Sequence, residues 1–384
     1  MAKQKLSRAD QVKAARDNLL DRHKGKVFCA DDYSMPWELR RLPTGILELD
    51  IAIQGGFPAG GMTMIKGKEG VGKSWLALQV IREQQLIFGE DCAIAWVSTE
   101  MPFDKTQAHL CDVACPMSNR EIKAKIDAYK RAGDELPKAM VKSMGRKVGI
   151  FDTVPPCNAE DSLEIALQML ESRAYNVVVI DSFGSLMTSD DETKELDKEG
   201  RVGGSAKLNT RFTRRLNSIM SIDEDGYSNL STVIGINQLR DNMNKANKYS
   251  PESVEPGGRA LKHARWLGIE LRRAGWVTNP SNKKIRLGKD VSWEITKQKA
   301  GGHEGAKGNY DFLYSLGGVD VAEHTLLTAT TYGIVERSGA HYSYGETKLG
   351  AGSKRATAKL LELDLYDAIR QQTLDAAGIR CLYT

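Results

Sequence analysis

A glycine-rich loop between an apolar strand and a helix constrains this chain more than any other feature. Residues 62–65 form a short apolar run, and residues 74–85 carry apolar side chains at helical spacing. The connecting loop follows the pattern G-x-x-x-x-G-K-S and consists of Gly67, Lys68, Glu69, Gly70, Val71, Gly72, Lys73 and Ser74. A strand, a glycine loop and a helix in this order predict a phosphate-binding loop, with the helix beginning near Trp75.

The residue types of this loop suit the oxygens of a nucleotide phosphate chain. Glycines let consecutive backbone N–H groups turn toward anionic oxygens, and the N-terminus of the following helix adds positive potential. Lys73 is expected to reach the β- and γ-phosphates, and the Ser74 hydroxyl is expected to ligate Mg²⁺. We therefore predict that residues 67–75, Trp75 included, bind ATP with Mg²⁺.

Two carboxylates are expected close to this loop. Asp181 ends the apolar run 177–180, and its carboxylate is placed to hold the Mg²⁺ shell together with Ser74. Glu100 follows the apolar run 93–97 and is placed to polarise a water molecule in line with the γ-phosphate. From its position alone, Glu100 could equally be a surface residue that starts a loop.

Apolar strands and amphipathic helices alternate along the rest of the chain. Further strand-like runs lie at residues 93–97, 177–180 and 232–236, with helical patterns at residues 163–172 and 208–220. Short, continuously apolar strands indicate an α/β fold with a mostly parallel sheet that is covered on both faces. Two later strands, near residues 266–272 and 291–297, alternate more, and we expect them to extend the sheet as antiparallel edge strands.

Three segments differ from this core, which we predict to span residues 38–318. Residues 1–37 contain a basic amphipathic helix, which either packs on its own domain or forms an oligomerisation arm. Residues 116–150 are rich in Lys and Arg and are predicted to form a surface insertion. Residues 319–384 change to short helices with glycine turns, which predicts a small α+β C-terminal domain.

Composition limits the classes of protein that the chain can belong to. The net charge of +4 is too small to indicate nucleic-acid binding by itself. We expect a cytoplasmic protein, because six irregularly spaced cysteines predict no disulfide framework and no signal peptide or membrane span is evident. His109, Cys111, Cys115 and Cys157 lack the common spacing of zinc ligands, and buried thiols are the simpler interpretation.

With these residues in place, the chain resembles the bacterial RecA recombinases and their phage relatives. Five short blocks occur in the order of that family, at residues 42–52, 236–240, 257–273, 297–299 and 339–358. The resemblance implies a RecA-like ATPase core and a DNA-dependent ATPase that forms a helical filament on single-stranded DNA. It also implies homologous pairing and strand exchange with double-stranded DNA, in recombination and repair.

The resemblance gives roles to individual residues. Glu100 matches the catalytic glutamate of the family, and Gln238 matches a glutamine that senses the γ-phosphate at the start of a DNA loop. Lys297 and Lys299 lie two residues apart on a strand and therefore face the same side. They match lysines that reach the ATP of the adjacent protomer, although their spacing alone also allows a solvated pair.

The resemblance also suggests contacts to the nucleotide base and across the subunit interface. Asp104 is placed to meet the edge of the adenine, and Gln107 stands near the position of the family's adenine-stacking aromatic residue. Lys262 lies in a segment that would touch the neighbouring protomer's nucleotide, and His263 replaces the aromatic residue expected after it.

Two DNA-binding loops are implied, at residues 188–206 and 239–258. The second loop is formally neutral, so the helix at residues 208–220, with Arg211, Arg214 and Arg215, would have to add phosphate contacts. The candidate DNA-binding residues are Arg201, Gly203, Gly204, Arg211, Arg240, Lys245, Tyr249, Gly257 and Gly258. The C-terminal domain is a further candidate for contact with duplex DNA.

Two other functions remain open from the residues alone. A hexameric helicase would use the same phosphate loop, a glutamate at a strand end and residues acting in trans. A nucleotide-switched signalling or scaffold protein would use the pocket without any role for DNA. Open helical filaments and strong stimulation of ATP hydrolysis by single-stranded DNA would distinguish a recombinase from both.

Overall fold

The structure, a computed structural model, describes residues 40–186, 204–221, 229–242 and 253–379, together with residues 13, 16–19 and 22. Most of the predicted arm at residues 1–37 lies outside the described residues. Residues 13, 16–19 and 22 are the exceptions, and all six are helical. The candidate DNA-binding residues Arg201, Gly203, Lys245 and Tyr249 also lie outside them.

The described elements alternate between strands and helices along the core. The strands are β1 (Arg41–Leu42), β2 (Phe57–Pro58), β3 (Met62–Gly67), β4 (Ile94–Ser98), β5 (Phe151–Val154), β6 (Val177–Asp181), β7 (Thr232–Gln238), β8 (Arg240–Asp241), β9 (Ser253–Val254), β10 (Leu267–Asn279), β11 (Asn282–Gln298), β12 (Lys307–Leu313), β13 (Gly318–Val319), β14 (Glu336–Ser338), β15 (His341–Tyr344) and β16 (Thr347–Ala351). The α-helices are α1 (Leu47–Ala52), α2 (Lys73–Phe88), α3 (Lys105–Leu110), α4 (Asn119–Ala132), α5 (Lys138–Gly145), α6 (Ala159–Glu171), α7 (Gly204–Ile219), α8 (Gly258–Ala264), α9 (Val321–Thr331), α10 (Ser353–Glu362) and α11 (Tyr366–Ala376).

A nine-stranded sheet with the order β13-β12-β11-β10-β3-β7-β6-β4-β5 forms the centre of the fold. The six strands from β10 to β5 in this order run parallel to their neighbours. Strands β11, β12 and β13 add to it in antiparallel fashion. The predicted α/β fold with a mostly parallel sheet is therefore confirmed.

One expectation about this sheet was wrong. We expected the strands near residues 266–272 and 291–297 to be antiparallel edge strands, but β10 pairs in parallel with β3. The helix α8 returns the chain from β7 to the far side of β3, and such a crossover places the next strand parallel. Neither β10 nor β11 is an edge strand, because β12 and β13 continue the sheet beyond them.

Alternate residues of the central strands enter two hydrophobic layers on opposite faces of the sheet. In β6, Val177 and Val179 join the layer that contains α2, whereas Val178 and Ile180 join the layer that contains α6 and α7. Both faces are therefore buried, which explains why these strands are apolar at every position. The layers hold the carboxyl ends of β3, β4, β6 and β7 at one edge of the sheet.

A separate hydrophobic cluster lies in the C-terminal part of the chain. Helices α9, α10 and α11 pack there with a three-stranded sheet of β14, β15 and β16. This unit contacts the core where the Arg370 Nη2 atom lies 3.5 Å from the Oδ2 atom of Asp50 in α1. Among the described residues, no helix combines the length and apolar character that crossing a membrane requires.

Candidate nucleotide-binding site

The phosphate loop begins where β3 ends, in the middle of the large sheet. A Cβ atom added to Gly67 would lie 2.5 Å from the backbone oxygen of Leu271, so only glycine fits between β3 and β10. Gly72 has a φ of 101°, in the left-handed region that favours glycine. Helix α2 begins at the next residue, Lys73, slightly earlier than the predicted start near Trp75.

Lys73, Ser74 and Asp181 form the polar centre of the site. The Ser74 hydroxyl donates a hydrogen bond to the Oδ2 atom of Asp181 at 2.9 Å. The Lys73 ammonium donates to the backbone oxygen of Lys68 at 2.8 Å. Burial lowers the pKa of Lys73, and the negative charges of Asp181 and Glu100 oppose that change. Burial raises the pKa of Asp181, and its hydrogen bond from Ser74 acts in the opposite direction.

This centre fits a nucleotide with its metal ion. Apart from the residues next to them in the chain, no residue has a heavy atom within 4 Å of the Cβ positions of Gly70 and Gly72, so the loop borders open space. The hydroxyl of Ser74 and the carboxylate of Asp181 are hard oxygen ligands of the kind that Mg²⁺ prefers. The ammonium of Lys73 and the N-terminus of α2 supply positive charge at the same place.

Glu100 and Gln238 are in direct contact, although 138 residues separate them in the sequence. The Nε2 atom of Gln238 donates to both carboxylate oxygens of Glu100, at 3.2 and 3.3 Å. The Ser182 hydroxyl donates to the same carboxylate at 3.0 Å. The two residues that we assigned to water activation and phosphate sensing therefore share one hydrogen-bond network at the carboxyl edge of the sheet.

A cavity of about 470 Å³ opens beside this network. Its lining includes the predicted residues Glu69, Gly70, Gly72, Lys73, Ser74, Trp75, Glu100, Asp104, Asp181 and Gln238, together with Gln107. The side chain of Asp104 also caps α3, because it accepts hydrogen bonds from the backbone N–H groups of Thr106 and Gln107 at 2.8 and 3.1 Å. The wall that carries Asp104 is thus fixed by helix capping.

Lys289 is a cationic residue of this cavity that was not predicted from the sequence. The Lys289 ammonium donates to the backbone oxygen of Gly70 at 2.6 Å, and it lies 5.5 and 5.7 Å from the ring centres of Phe312 and Tyr314. Burial lowers its pKa, and the charge of Arg273 acts in the same direction. Lys289 adds a cation at the phosphate loop from a strand more than two hundred residues away.

The predicted trans-acting lysines form a second cluster, at the C-terminal end of α8. Lys299 donates to the backbone oxygen of His263 at 2.8 Å, and Lys297 donates to the backbone oxygen of Lys262. Burial, together with the charge of Lys299, lowers the pKa of Lys297 to about 8. Lys262 is exposed on the same helix. None of these three side chains lines the cavity of its own subunit.

The described ends of the two loops that we predict to bind DNA lie close to each other and to the phosphate loop. Arg240, at the start of the second loop, donates to the backbone oxygen of Gly184 just before the first loop, at 2.9 Å. Asp241 lies 2.7 Å from the ammonium of Lys68 in the phosphate loop. At the other end of the second loop, the Asn209 side chain donates to the backbone oxygen of Gly257 at 3.2 Å.

Helix α7, which starts at Gly204, presents exposed arginines on one side. Arg211 and Arg214 are exposed, as expected for phosphate contacts. Arg215 is exposed and pairs with Glu164 of α6, and its contact with a DNA phosphate stays a prediction. The pairing arises because α7 packs against α6 along this side.

A buried charge network fixes the end of the second DNA loop to the strand that carries the phosphate loop. The ammonium of Lys66 in β3 lies 3.7 Å from Glu255 and 3.1 Å from Glu270. Arg265 lies 2.5 Å from the other carboxylate oxygen of Glu255. Each of these side chains is at most 11% exposed.

The candidate zinc ligands do not form one cluster. Cys115 lies 3.4 Å from the Nε2 atom of His109, whereas the nearest partners of Cys111 are Gln107 and Gly317. No group of three potential metal ligands occurs in the described part of the chain. Cys157 is exposed, which corrects the interpretation of all three thiols as buried. It lies on the loop before α6, outside both hydrophobic layers.

A phosphate loop on a central parallel strand, with an aspartate on a nearby strand and a carboxylate facing the pocket, defines a P-loop ATPase. The family model of the RecA N-terminal domain matches residues 104–317, and that of the RecA C-terminal domain matches residues 326–378. The chain therefore belongs to the RecA family. It is a DNA-dependent ATPase and recombinase, and filament formation and strand exchange are typical of this family.

Curated relatives match most of the chain. A protein named Protein RecA from Aquifex aeolicus is 30% identical over 344 residues, which cover 89% of this chain and 85% of that protein. Its namesake from Aquifex pyrophilus is 29% identical over 344 residues, with 89% and 84% covered. The Protein RecA of Thermus aquaticus is 28% identical over 339 residues, with 88% and 85% covered.

Proposed function

We propose that this chain assembles into a helical filament on single-stranded DNA and hydrolyses ATP at the phosphate loop to control its affinity for that DNA. The observation that carries the proposal is the contact between Glu100 and Gln238. Gln238 is the last residue of β7, directly before the second DNA loop. A change in the contact between Gln238 and the γ-phosphate would therefore act directly on the start of the proposed DNA-binding loop.

The phosphate loop is proposed to bind ATP through residues 67–75. Its backbone N–H groups and the N-terminus of α2 would hold phosphate oxygens, and Lys73 would neutralise the β- and γ-phosphates. Ser74 and Asp181, already in contact, would hold Mg²⁺, which neutralises phosphate charge when it is bound. Asp104 is placed on the cavity wall that would meet the base.

Glu100 is proposed to polarise the water that attacks the γ-phosphate. Ser182 and Gln238 donate hydrogen bonds to its carboxylate, which fixes the orientation of that carboxylate. Turning of the Gln238 amide toward a γ-phosphate would free one face of the carboxylate for the water. After hydrolysis the amide would return to Glu100, and the second DNA loop would move with it.

Lys297, Lys299 and Lys262 are proposed to act on the ATP of the next subunit. They surround the C-terminal end of α8, outside the cavity of their own subunit, and their clustered positive charge suits an anion supplied from elsewhere. Hydrolysis would then require contact between subunits, as with an arginine finger that acts in trans.

Contacts to DNA are proposed for the two loops and their flanks. The candidate residues are Arg201, Gly203, Gly204, Arg211, Arg240, Lys245, Tyr249, Gly257 and Gly258. Arg211 is exposed on α7, and the loop ends around Arg240 and Gly257 adjoin the phosphate loop and α7. Double-stranded DNA is the proposed second partner, with the C-terminal domain as one contact. We place the protein in the cytoplasm, where its four described cysteines would stay free thiols.

The proposal is tested by ATP hydrolysis with and without single-stranded DNA. We expect strong stimulation by DNA, no hydrolysis by Lys73→Ala and impaired hydrolysis by Lys299→Ala. Lys348→Ala, a change of an exposed lysine in β16, is the matched control and should hydrolyse at the normal rate. Absence of DNA stimulation would contradict the proposal, and closed rings in electron micrographs would favour the helicase instead.

A further inference from the structure

The insertion at residues 116–150 carries the net positive charge of the molecule. It contains nine Lys and Arg residues against four Asp and Glu residues, a net charge of +5. The whole chain carries +4, so the remaining 349 residues carry −1. A charge that is concentrated in this way creates a local field that the net charge of the chain conceals.

The charge is ordered on one face of α4. At 100° per residue, Arg120, Lys123, Lys130 and Arg131 fall within one arc of about 100°, with Asp127 as the one acidic residue among them. All five side chains are exposed. Ile122, Ile126 and Tyr129 lie on the opposite side of α4 and are half-buried. We call the exposed arc from Arg120 to Arg131 the cationic face.

The cations of this face are available to a ligand. In the described part of the chain, no carboxylate lies within ion-pair distance of Arg120, Lys123 or Lys130. Glu121, the nearest acid in sequence, is already used, because it completes a capping box with Ser118 and pairs with Lys105 at 3.2 Å. Glu121 is therefore directed toward Lys105 of the core and does not neutralise the face.

The insertion is firmly attached to the ATPase core. The pair between Glu121 and Lys105 joins α4 to α3. Behind α5, Arg146 lies 2.8 Å from Asp112, whose other carboxylate oxygen accepts a hydrogen bond from Arg82 of α2 at 3.1 Å. A cationic surface that is held in one orientation loses little conformational freedom when it binds a ligand.

We propose that the cationic face binds the phosphate backbone of double-stranded DNA. This site is additional to the DNA contacts proposed above, and the inference rests on the proposed function. The cations extend over twelve residues of helix, or about 16 Å. That length is roughly half of the 34 Å turn of duplex DNA, so several phosphates of one strand lie within reach.

The composition of the face favours duplex over single-stranded DNA. Binding of single strands generally uses aromatic side chains that stack on exposed bases. The cationic face contains none, and Tyr129, the one tyrosine of α4, is on the half-buried side. Contacts through Lys and Arg alone recognise phosphates, which a duplex presents while its bases are hidden. The site is thus independent of DNA sequence.

The test compares Arg120→Gln/Lys123→Gln/Lys130→Gln with Ala124→Gln/Ala128→Gln in the intact chain. The control adds glutamines to exposed positions of the same helix without changing its charge. Binding of a labelled duplex is measured over about 50 to 200 mM salt, without nucleotide. The salt slope is the change in the logarithm of the binding constant with the logarithm of the salt concentration, and each lost phosphate contact lowers its magnitude by about 0.9. We therefore expect the magnitude of the slope to fall by about 2 to 3 in the triple variant only, with roughly tenfold weaker binding. Asp127→Asn should strengthen binding.

Hydrolysis of ATP with single-stranded DNA is measured on the same preparations. Stimulation that is equal in the triple variant and the unchanged chain, together with weaker duplex binding, supports the inference. Unchanged duplex affinity and salt slope in the triple variant overturn it while the proposed function stands. If filament assembly on single-stranded DNA then decreases, the face contacts an acidic surface of another protein molecule instead. Absence of DNA stimulation in the unchanged chain contradicts the proposed function itself.

Discussion

At the scale of single residues, the carboxylate of Glu100 accepts hydrogen bonds from two side chains, and each lies at the carboxyl end of a different strand. Ser182 follows β6, and Gln238 ends β7. These residues meet because the carboxyl ends of parallel strands share one edge of the sheet. Position after an apolar strand is visible in a sequence, which is why Glu100 and Asp181 could be placed at this edge, whereas Gln238 was assigned from the family resemblance.

Glu100→Gln is expected to reduce kcat for ATP hydrolysis by at least about 100-fold, because an amide cannot polarise the water as a carboxylate does. Binding of ATP should be retained, since the phosphate loop is unchanged. Steady-state hydrolysis and nucleotide binding are the two measurements. Glu171→Gln, an exposed change at the end of α6, serves as the control. A normal kcat in Glu100→Gln would remove this residue from the reaction.

Lys297 is expected to make filament assembly sensitive to alkaline pH. Burial lowers its pKa to about 8, so the side chain loses its charge as the pH rises through that value. Assembly with ATP should weaken between about pH 7 and about pH 9, whereas an ordinary lysine would remain charged there. Lys297→Arg should abolish the dependence because a guanidinium stays protonated. Light scattering across the pH range measures it, and identical profiles for the two proteins would contradict it.

The position of Lys289 beside the phosphate loop could not be predicted from the sequence. Its contact with Gly70 exists because β11 lies beside β10 and β10 lies beside β3. No local pattern around residue 289 encodes that order, since the pairing of β10 with β3 is set by packing across the whole sheet. The same reason explains why the orientation of β10 could not be predicted from its alternating residues.

At the scale of elements, the buried network of Lys66, Glu255, Glu270 and Arg265 joins β3 to the end of the second DNA loop. Two cations and two carboxylates share one poorly exposed space. Removal of one partner from such a group leaves an uncompensated charge in a region of low dielectric. The network is therefore a rigid connection between the nucleotide strand and the segment that we assign to DNA.

Glu255→Gln is expected to lower the free energy of unfolding by about 3 kcal/mol, because Arg265 loses its carboxylate partner and Lys66 keeps only Glu270. Urea denaturation measures the change. Glu362→Gln removes a carboxylate from an exposed pair with Lys359 and should change stability by less than about 1 kcal/mol. Equal stability of the two variants would show that the buried network does not hold the loop end in place.

At the scale of the whole molecule, the C-terminal unit rests on α1 through a buried pair. Thr44 donates to Asp50 from both its backbone N–H and its hydroxyl, each at 2.7 Å, and Arg370 reaches the other carboxylate oxygen from α11. Burial raises the pKa of Asp50 to about 7, and Arg370 opposes that change. The change to short helices with glycine turns after residue 319 predicted a C-terminal unit, but nothing in the pattern around residue 50 indicated which residues would hold it.

Asp50 is expected to make the docked fold lose stability as the pH rises from about 4 to about 7. The folded protein holds the proton more tightly than the unfolded chain, whose aspartates have a pKa near 3.9, so the protonated form favours folding. Asp50→Asn should flatten this part of the profile. Thermal unfolding at a series of pH values is the measurement, with Asp367→Asn in α11 as the control. A profile that stays unchanged in Asp50→Asn would contradict the assignment.

The position of Lys297 and Lys299 away from their own cavity has a genetic consequence. If each subunit completes the site of its neighbour, a chain that lacks these lysines keeps its own phosphate loop and can still enter a polymer, although less readily than a normal chain, and there it disables an otherwise intact subunit beside it. Mixed polymers would then lose activity faster than the proportion of altered chains rises, and such an allele would be dominant over a normal copy in the same cell.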